Sequence, residues 1–393
     1  MQGGSEESTA NVSGSELIVL HSHYFYPSVG GCETFADLLA AGLAARGRQV
    51  RLVTGAALDN AAELKRNYEI VRISCWEDDA ALDGAAVIVS NGPSVRYLRL
   101  ARRRRIPTVL VHAGPHGDCP AAIGWRDGQR CTIGLPRCLT CRVCDQRLGD
   151  NVRNLARHLL LRRAMRGAAA NVFVSHYLQE RIAAPRSRVI WNCYNDELFR
   201  PLPFSPQGQT QFVFAGRLVS IKGVDVALRG FALARQQGLD ARLRIVGSGP
   251  LQADLQRLTA DLAAQNAVAF QPFAPSKELA MIFQQSWAML LPTQCEEAFG
   301  IVVAEAMGCG CPVIASAHGG PPEVVADTGL LVPAADPAAW ARAMHALAVD
   351  PARRQSLAAA AAARAHREFT RTAMVDRYEA LLDQVALNAQ ACR

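Results

Sequence analysis

Short apolar runs alternate along the chain with longer stretches in which apolar residues return every three or four positions. The first run, 16–21, gives way to a polar Gly/Pro loop and then to Cys32–Arg46, where Phe35, Leu38, Leu39 and Leu43 recur at helical spacing. That order predicts a strand, a loop and a helix opening a βαβ unit. Further strands are predicted over 49–54, 86–90, 108–112, 171–174 and 188–190, with Ala/Arg/Leu-rich helical stretches between them. Residues 201–209, with their prolines and a glycine, interrupt the rhythm and read as a linker. A second alternation follows, with strands over 211–215, 242–246, 288–291, 313–315 and 330–332. Strands alternating with helices argue for parallel sheets covered on both faces, so the fold class is α/β with two Rossmann-like halves. The expected organisation is a disordered 1–15, a first domain over 16–200, a linker over 201–209, a second domain over 210–368 and a final helix over 369–393. In open parallel sheets ligands bind beyond the carboxyl ends of the strands, which places the site in the cleft between the halves.

Composition narrows the function. A length of 393 residues exceeds one ordinary core and suits two domains. The formal charge of +7 suits phosphorylated ligands, and the few aromatics argue against base-stacking platforms, so no nucleic-acid partner is expected. The first residues lack the basic start and apolar run of a signal peptide, and no stretch is apolar for long enough to span a membrane. A cytoplasmic protein is the expectation. Most of the 12 cysteines, Cys309 and Cys311 among them, stand singly in apolar segments and read as reduced core thiols.

The candidate chemistry is concentrated in the second half. Glu297 and Glu305 bracket Ala-Phe-Gly-Ile-Val-Val-Ala between two predicted strands. Phe299-Gly300-Ile301 reads as a loop turning into a helix, whose backbone N–H groups, through Val302, would face an anion. Glu297 would accept sugar hydroxyls from the loop. Glu305 lies among Val302, Val303, Ala304, Ala306 and Met307, where an unpartnered carboxylate is costly to bury, so it needs donors. The bland alternative is an acidic loop residue and a solvated helix face. Glu296 competes with Glu297, but only Glu297 keeps the seven-residue interval. Upstream, Phe214-Ala215-Gly216-Arg217 ends a strand and leads to Lys222-Gly223, placing two cations where a departing diphosphate would build charge. Gly247-Ser248-Gly249-Pro250 and Gly319-Gly320-Pro321-Pro322-Glu323 follow later strands, and Gly30-Gly31 precedes the first helix. His112 ends a strand ahead of Ala-Gly-Pro-His-Gly.

Taken in order, these motifs resemble the retaining family 4 glycosyltransferases of GT-B fold, whose E-x7-E element the Glu297–Glu305 run matches, and the resemblance covers nearly the whole chain. It implies transfer of a sugar from a UDP- or GDP-linked donor to an acceptor hydroxyl with retention of configuration, of hexosyl or N-acetylhexosaminyl type. It assigns Glu297 to the transferred sugar, Glu305 to the ribose, Arg217 and Lys222 to the diphosphate and His112 to the donor sugar. Gly31, Gly216, Phe299, Gly300, Ile301 and Val302 complete the donor site. It also has the final helix cross back to brace the first domain. No Asp-x-Asp occurs, so no cofactor is expected for transfer. The acceptor, a glycan, lipid-linked saccharide or small molecule, stays open. A sugar-nucleotide epimerase or phosphorylase of the same architecture is the competing enzyme class, and a cysteine-rich nucleic-acid-binding protein the non-enzymatic one.

Two stretches depart from the pattern. Val189–Asp196 resembles the family's Ile-x-Asn-Gly-Val-Asp turn but carries Cys193 in place of the glycine. The insertion 118–145 carries Cys131, Cys138, Cys141 and Cys144, a spacing that can wrap structural zinc with Cys131 or Cys119 as fourth ligand; unligated thiols, and a disulfide or iron–sulfur site, are the alternatives. The run Arg102–Arg105 reads as a solvated helix end, with contact to an anionic membrane as a further reading.

Overall fold

The computed structural model describes residues 16–201 and 210–391, apart from 24, 27–29, 56–64, 75–78, 93–94, 121–123, 127–128, 132–137, 140 and 142–147. The expected disordered N-terminus, most of the expected linker, the Pro27–Val29 part of the Gly-Gly loop and Cys144 lie outside the described residues.

The first half is a seven-stranded sheet of order β3-β2-β1-β4-β5-β8-β9, parallel throughout. Its strands are β1 (Leu17–Ser22), β2 (Val50–Gly55), β3 (Glu69–Ile73), β4 (Ala85–Asn91), β5 (Thr108–His112), β8 (Ala170–Phe173) and β9 (Ser187–Val189). A small antiparallel pair, β6 (Trp125–Arg126) and β7 (Gln129–Arg130), sits within the insertion. The helices of this half are α1 (Gly31–Ala45), α2 (Val95–Arg103), α3 (Leu148–Gly167) and α4 (His176–Ile182). Central strands such as β1 bury residues on both faces, as a parallel sheet covered on both sides requires. β3 escapes the hydrophobic pattern because it is an edge strand of mostly half-exposed, partly charged residues.

The second half is a six-stranded parallel sheet of order β12-β11-β10-β13-β14-β15. Its strands are β10 (Thr210–Ala215), β11 (Ala241–Val246), β12 (Val268–Gln271), β13 (Ala288–Leu291), β14 (Val313–Ser316) and β15 (Leu330–Val332). β12 is again an edge strand with no buried residue, and it too lacks a readable apolar run. Four further helices position the site: α5 (Val224–Gln236), α6 (Ile301–Gly308), α7 (Pro321–Val325) and the closing α8 (Arg371–Ala391).

α8 packs on α1 of the first half. A side chain on Gly42 would lie 2.4 Å from Val375 Cγ2, Phe35 and Tyr378 rings stand 5.8 Å apart, and Arg46 reaches Asp376 and Glu379 at 2.5 and 2.8 Å. One apolar cluster runs without a break from Ile18 and Phe35 through Tyr194 and Phe199 to Met307 and Tyr378. Cys193, the residue in place of the expected glycine, is fully buried and is not among the described non-glycine residues with positive φ. No left-handed conformation is required there, which is why a side chain is tolerated.

Candidate active site

The carboxyl ends of β10, β13 and β14 carry the loops that build the second half's rim. After β10 the chain passes Arg217 and a single 3-10 turn to Lys222, and Gly223 then starts α5 with φ +63°. A Cβ there would lie 2.0 Å from the Pro292 carbonyl oxygen, so only glycine lets this loop touch the loop after β13. That contact brings Lys222 onto Glu297, its Nζ donating to Oε2. Both side chains stay about one-fifth exposed. Burial alone would lower the Lys222 pKa, but the Glu297 carboxylate, with Cys295 adding to it, holds it above the usual lysine value. Arg217 is exposed, and its charge is felt at Lys222.

The loop bearing Glu297 is clasped from behind. His318 Nε2 lies 3.1 Å from the Cys295 carbonyl, and Gly320 N donates to the Glu297 carbonyl at 2.8 Å. A Cβ on Gly320 would lie 2.1 Å from the Ala298 oxygen, so the Gly319-Gly320 pair is a backbone contact fixing this loop. Phe299 turns into the core against Phe369, 5.3 Å between rings, leaving its backbone at the rim. Gly300, with φ +83°, is the N-cap of α6, and no side chain caps the helix. Glu305 is half-buried one turn into α6, where burial pushes its pKa up to about 7.

Across the cleft, a Cβ on Gly31 at the start of α1 would meet Ile301 Cδ1 at 3.3 Å. The first half's loop and the start of α6 are therefore in near contact. His112 ends β5, stacks on Phe173 with centroids 4.5 Å apart, and places Nε2 3.0 Å from Asn171 Oδ1. The Asn171 amide nitrogen donates to the Met165 and Pro185 carbonyls, so Oδ1 is the acceptor and His112 Nε2 carries the proton. Burial lowers the His112 pKa to about 4, so the ring is neutral at pH 7. His21, which the sequence reading sets aside, is buried against Tyr97, bonded to Ser90 Oγ at 2.9 Å and lowered by burial to about 3.

Thus Lys222 and Glu297 touch, Arg217 and Glu305 belong to the same rim, and Gly31 faces Ile301 from the other half. Among the described residues His112 bonds to Asn171 and to none of these. Gly216 N donates to the Val246 carbonyl at 3.0 Å, which ties the Arg217 loop to the end of β11.

Two carboxylates that sequence spacing does not rank hold the halves together. Glu296 pairs with Arg181 of α4 at 2.8 Å, both side chains only 2% exposed. Arg181 also binds Asp118 and the Gly124 carbonyl, so the insertion is tied to the same point. Glu323 of α7 accepts the His176 and Tyr177 amides at 3.0 and 3.2 Å and the Trp191 indole N–H at 2.5 Å, capping α4 from the opposite half. The motif ending in Glu323 was visible in the sequence; its partner 147 positions away was not. Cys131, Cys138 and Cys141 are half-buried and in no disulfide, and among the described residues no three His, Cys, Asp or Glu side chains converge as metal ligands.

Known proteins share this fold. The family model described as "Glycosyltransferase Family 4" matches residues 29–198, and that described as "Glycosyl transferases group 1" matches 195–364. A D-inositol 3-phosphate glycosyltransferase of Pseudarthrobacter chlorophenolicus is 37% identical over 186 residues, 45% of this chain and 44% of that protein. One of Frankia alni is 40% identical over 164 residues, 39% of this chain and 40% of that protein. The chain thus spans less than half the length of these relatives. Among solved structures, sucrose-phosphate synthase of Thermosynechococcus elongatus superposes with a TM-score of 0.74 at 20% identity, covering 94% of this chain and 99% of that one. Anabaena HepE in complex with UDP and glucose gives 0.71 at 17% identity, covering 94% and 100%. With the two family models meeting end to end and the GT-B architecture in place, the chain belongs to the family 4 glycosyltransferases.

Proposed function

We propose that the chain transfers a hexosyl or N-acetylhexosaminyl unit from a UDP- or GDP-linked donor to an acceptor hydroxyl, with retention of anomeric configuration and without a metal. The observation that carries this reading is the Lys222–Glu297 pair on a glycine-braced rim, one turn from the half-buried Glu305. Donor binding places the diphosphate on Lys222 and Arg217 and on the amides of Gly300, Ile301 and Val302, while Glu297 turns to the sugar hydroxyls. Fixed cations and helix amides stabilise the charge that builds on the leaving diphosphate, worth about 3 kcal/mol for one good donor. Ribose hydroxyls supply the donors that Glu305 lacks, and return its carboxyl to the ionised form. His112, neutral and with Nε2–H held by Asn171, offers Nδ1 toward the donor sugar. The acceptor attacks the face from which diphosphate leaves, and a diphosphate oxygen takes its proton, so no side-chain base is required. HepE, solved with UDP and glucose, supports a nucleotide-sugar donor in this fold. The acceptor is a glycan, a lipid-linked saccharide or a small molecule, and the site of action is the cytoplasm.

The test is a thermal-shift screen of the purified chain against UDP- and GDP-sugars, followed by mass and anomeric analysis of the product with the best donor. Stabilisation by one sugar nucleotide, abolished in Glu305→Ala, supports the reading. If no sugar nucleotide raises the melting temperature, or if the product has inverted configuration, it fails.

A further inference from the structure

The flank of the first half formed by α2 and α3 carries a charge concentration that the cleft does not use. Between these helices lies an open groove of about 1420 Å³. Thr108 and Ala169 line it, at the beginnings of β5 and β8, whereas His112 closes the other end of β5. The groove is therefore at the far end of the sheet from the candidate active site. Its charged lining is arginine: Arg99, Arg102 and Arg105 from α2 and the turn after it, Arg163 and Arg166 from α3, all exposed. No Asp or Glu lines it, and none of the five makes an ion pair among the described residues. Arg104, a sixth arginine in the lining, is already neutralised by Asp79 and Asp83 at 2.8 and 2.6 Å.

The exposed face of α3 continues this surface. Val152, Leu159 and Leu160 are 52%, 62% and 36% exposed, and Leu159 and Leu160 adjoin the arginines as one apolar patch. Val152, the exposed Ala156 and Leu159 follow helical spacing, and the same stripe runs on to Arg163 and Arg166. His158 Nδ1 lies 3.2 Å from the His116 carbonyl just past the end of β5, and Gly167 leads into β8. The helix thus runs from the cleft end of the sheet to the far end, with exposed arginines along its whole length, Arg153 and Arg157 before the leucines and Arg163 and Arg166 after them.

We propose that α2 and α3 form a docking surface for an anionic phospholipid bilayer. α3 lies in the interfacial plane with Leu159 and Leu160 among the acyl chains, and the five arginines meet the headgroup phosphates. A dissolved polyanion would use the arginines alone and leave the leucines unexplained. Docking along this flank, and not through the cleft rim, leaves the cleft open beside the bilayer.

The test is co-sedimentation of the full chain with phosphatidylcholine vesicles and with vesicles in which phosphatidylglycerol replaces part of it. The chain is expected to pellet only with the anionic vesicles, less so as salt rises. Each arginine near the surface is worth roughly five-fold in partition, so R102E/R105E/R163E should lose about a hundred-fold or more. L159N/L160N should bind the anionic vesicles about ten-fold more weakly yet bind soluble polyphosphate as the parent does. Melting temperatures and nucleotide-induced shifts of both variants should match the parent, which separates lost docking from lost folding. Failure to pellet, equal pelleting with both vesicle types, or undiminished vesicle binding by L159N/L160N overturns the proposal; the last outcome makes the groove a soluble-polyanion site. None of these readings depends on sugar transfer.

Discussion

The two rims of the cleft handle polar groups in opposite ways. On the first half's rim, His21 bonds to Ser90, His112 to Asn171, and the Asn91 amide nitrogen donates to the Cys32 carbonyl; all are buried and both imidazoles are neutral. On the second half's rim, Arg217, Lys222 and Glu297 keep their charge and part of their surface in the open. A neutral, internally bonded rim leaves shape and a few lone pairs to select a ligand. A charged, partly open rim offers Coulomb attraction to an anion, because its cations can be reached from the cleft. The same contrast separates adjacent residues: Glu296 is buried with Arg181, and Glu297 stays at the surface with Lys222.

That contrast can be broken most severely at Arg181. Arg181→Ala leaves the buried Glu296 and the half-buried Asp118 without their cation, and should cost about 3–5 kcal/mol in denaturant unfolding. Pairing it with Glu296→Leu should restore part of that loss; if R181A unfolds like the parent, the buried pair is not a latch. Lys222→Ala and Glu297→Gln act on the open rim. Each should lower transfer roughly 10²–10³-fold while moving the unfolding midpoint little. Comparable stability losses at Glu296 and Glu297 would erase the distinction drawn between them.

Smaller effects follow from protonation. Glu305 is pushed up to about 7, so ligand hydroxyls that need its carboxylate should bind tighter as pH rises through 7, by up to about ten-fold per unit, and then level off. Calorimetric titration of the best nucleotide should give this profile, and Glu305→Gln should flatten it. In the empty chain the same shift acts on stability in the opposite sense: the folded state holds the extra proton between about 4.5 and 7, and loses that advantage as pH rises through 7. His112 and His21 are depressed to about 4 and about 3, so their contribution is intact above 6.5 and is lost as pH falls toward those values. Melting curves across pH, with His112→Asn removing part of the acid limb, check the second window. The smallest expected change is Gly31→Ala. Its Cβ at 3.3 Å from Ile301 Cδ1 asks the rims to part by a few tenths of an ångström, costing about 1 kcal/mol and raising the donor KM without altering kcat.

The strands at the centre of both sheets were legible because each is a short run buried on both faces. β3 and β12 were not, since an edge strand needs no continuous apolar run. In the second half's rim, Arg217, Lys222, Gly300 and Glu305 were legible because local chain geometry alone sets them on loops after strands or in the first turns of a helix. Arg181, Glu323 and the Asn171 that fixes the His112 tautomer were not, because each acts through a partner brought close only by folding.

By itself the sequence determined the α/β class, the succession of two parallel sheets and the family's motif order, all of which follow from periodicity and spacing along one chain. Only the tertiary structure decided which of two neighbouring glutamates is buried and which is offered, what the Gly-Gly-Pro-Pro-Glu motif grips, and that the arginines of α2 meet the leucines and arginines of α3 on one flank. Burial and charge pairing depend on what lies opposite a side chain in space, and a linear pattern carries no record of that.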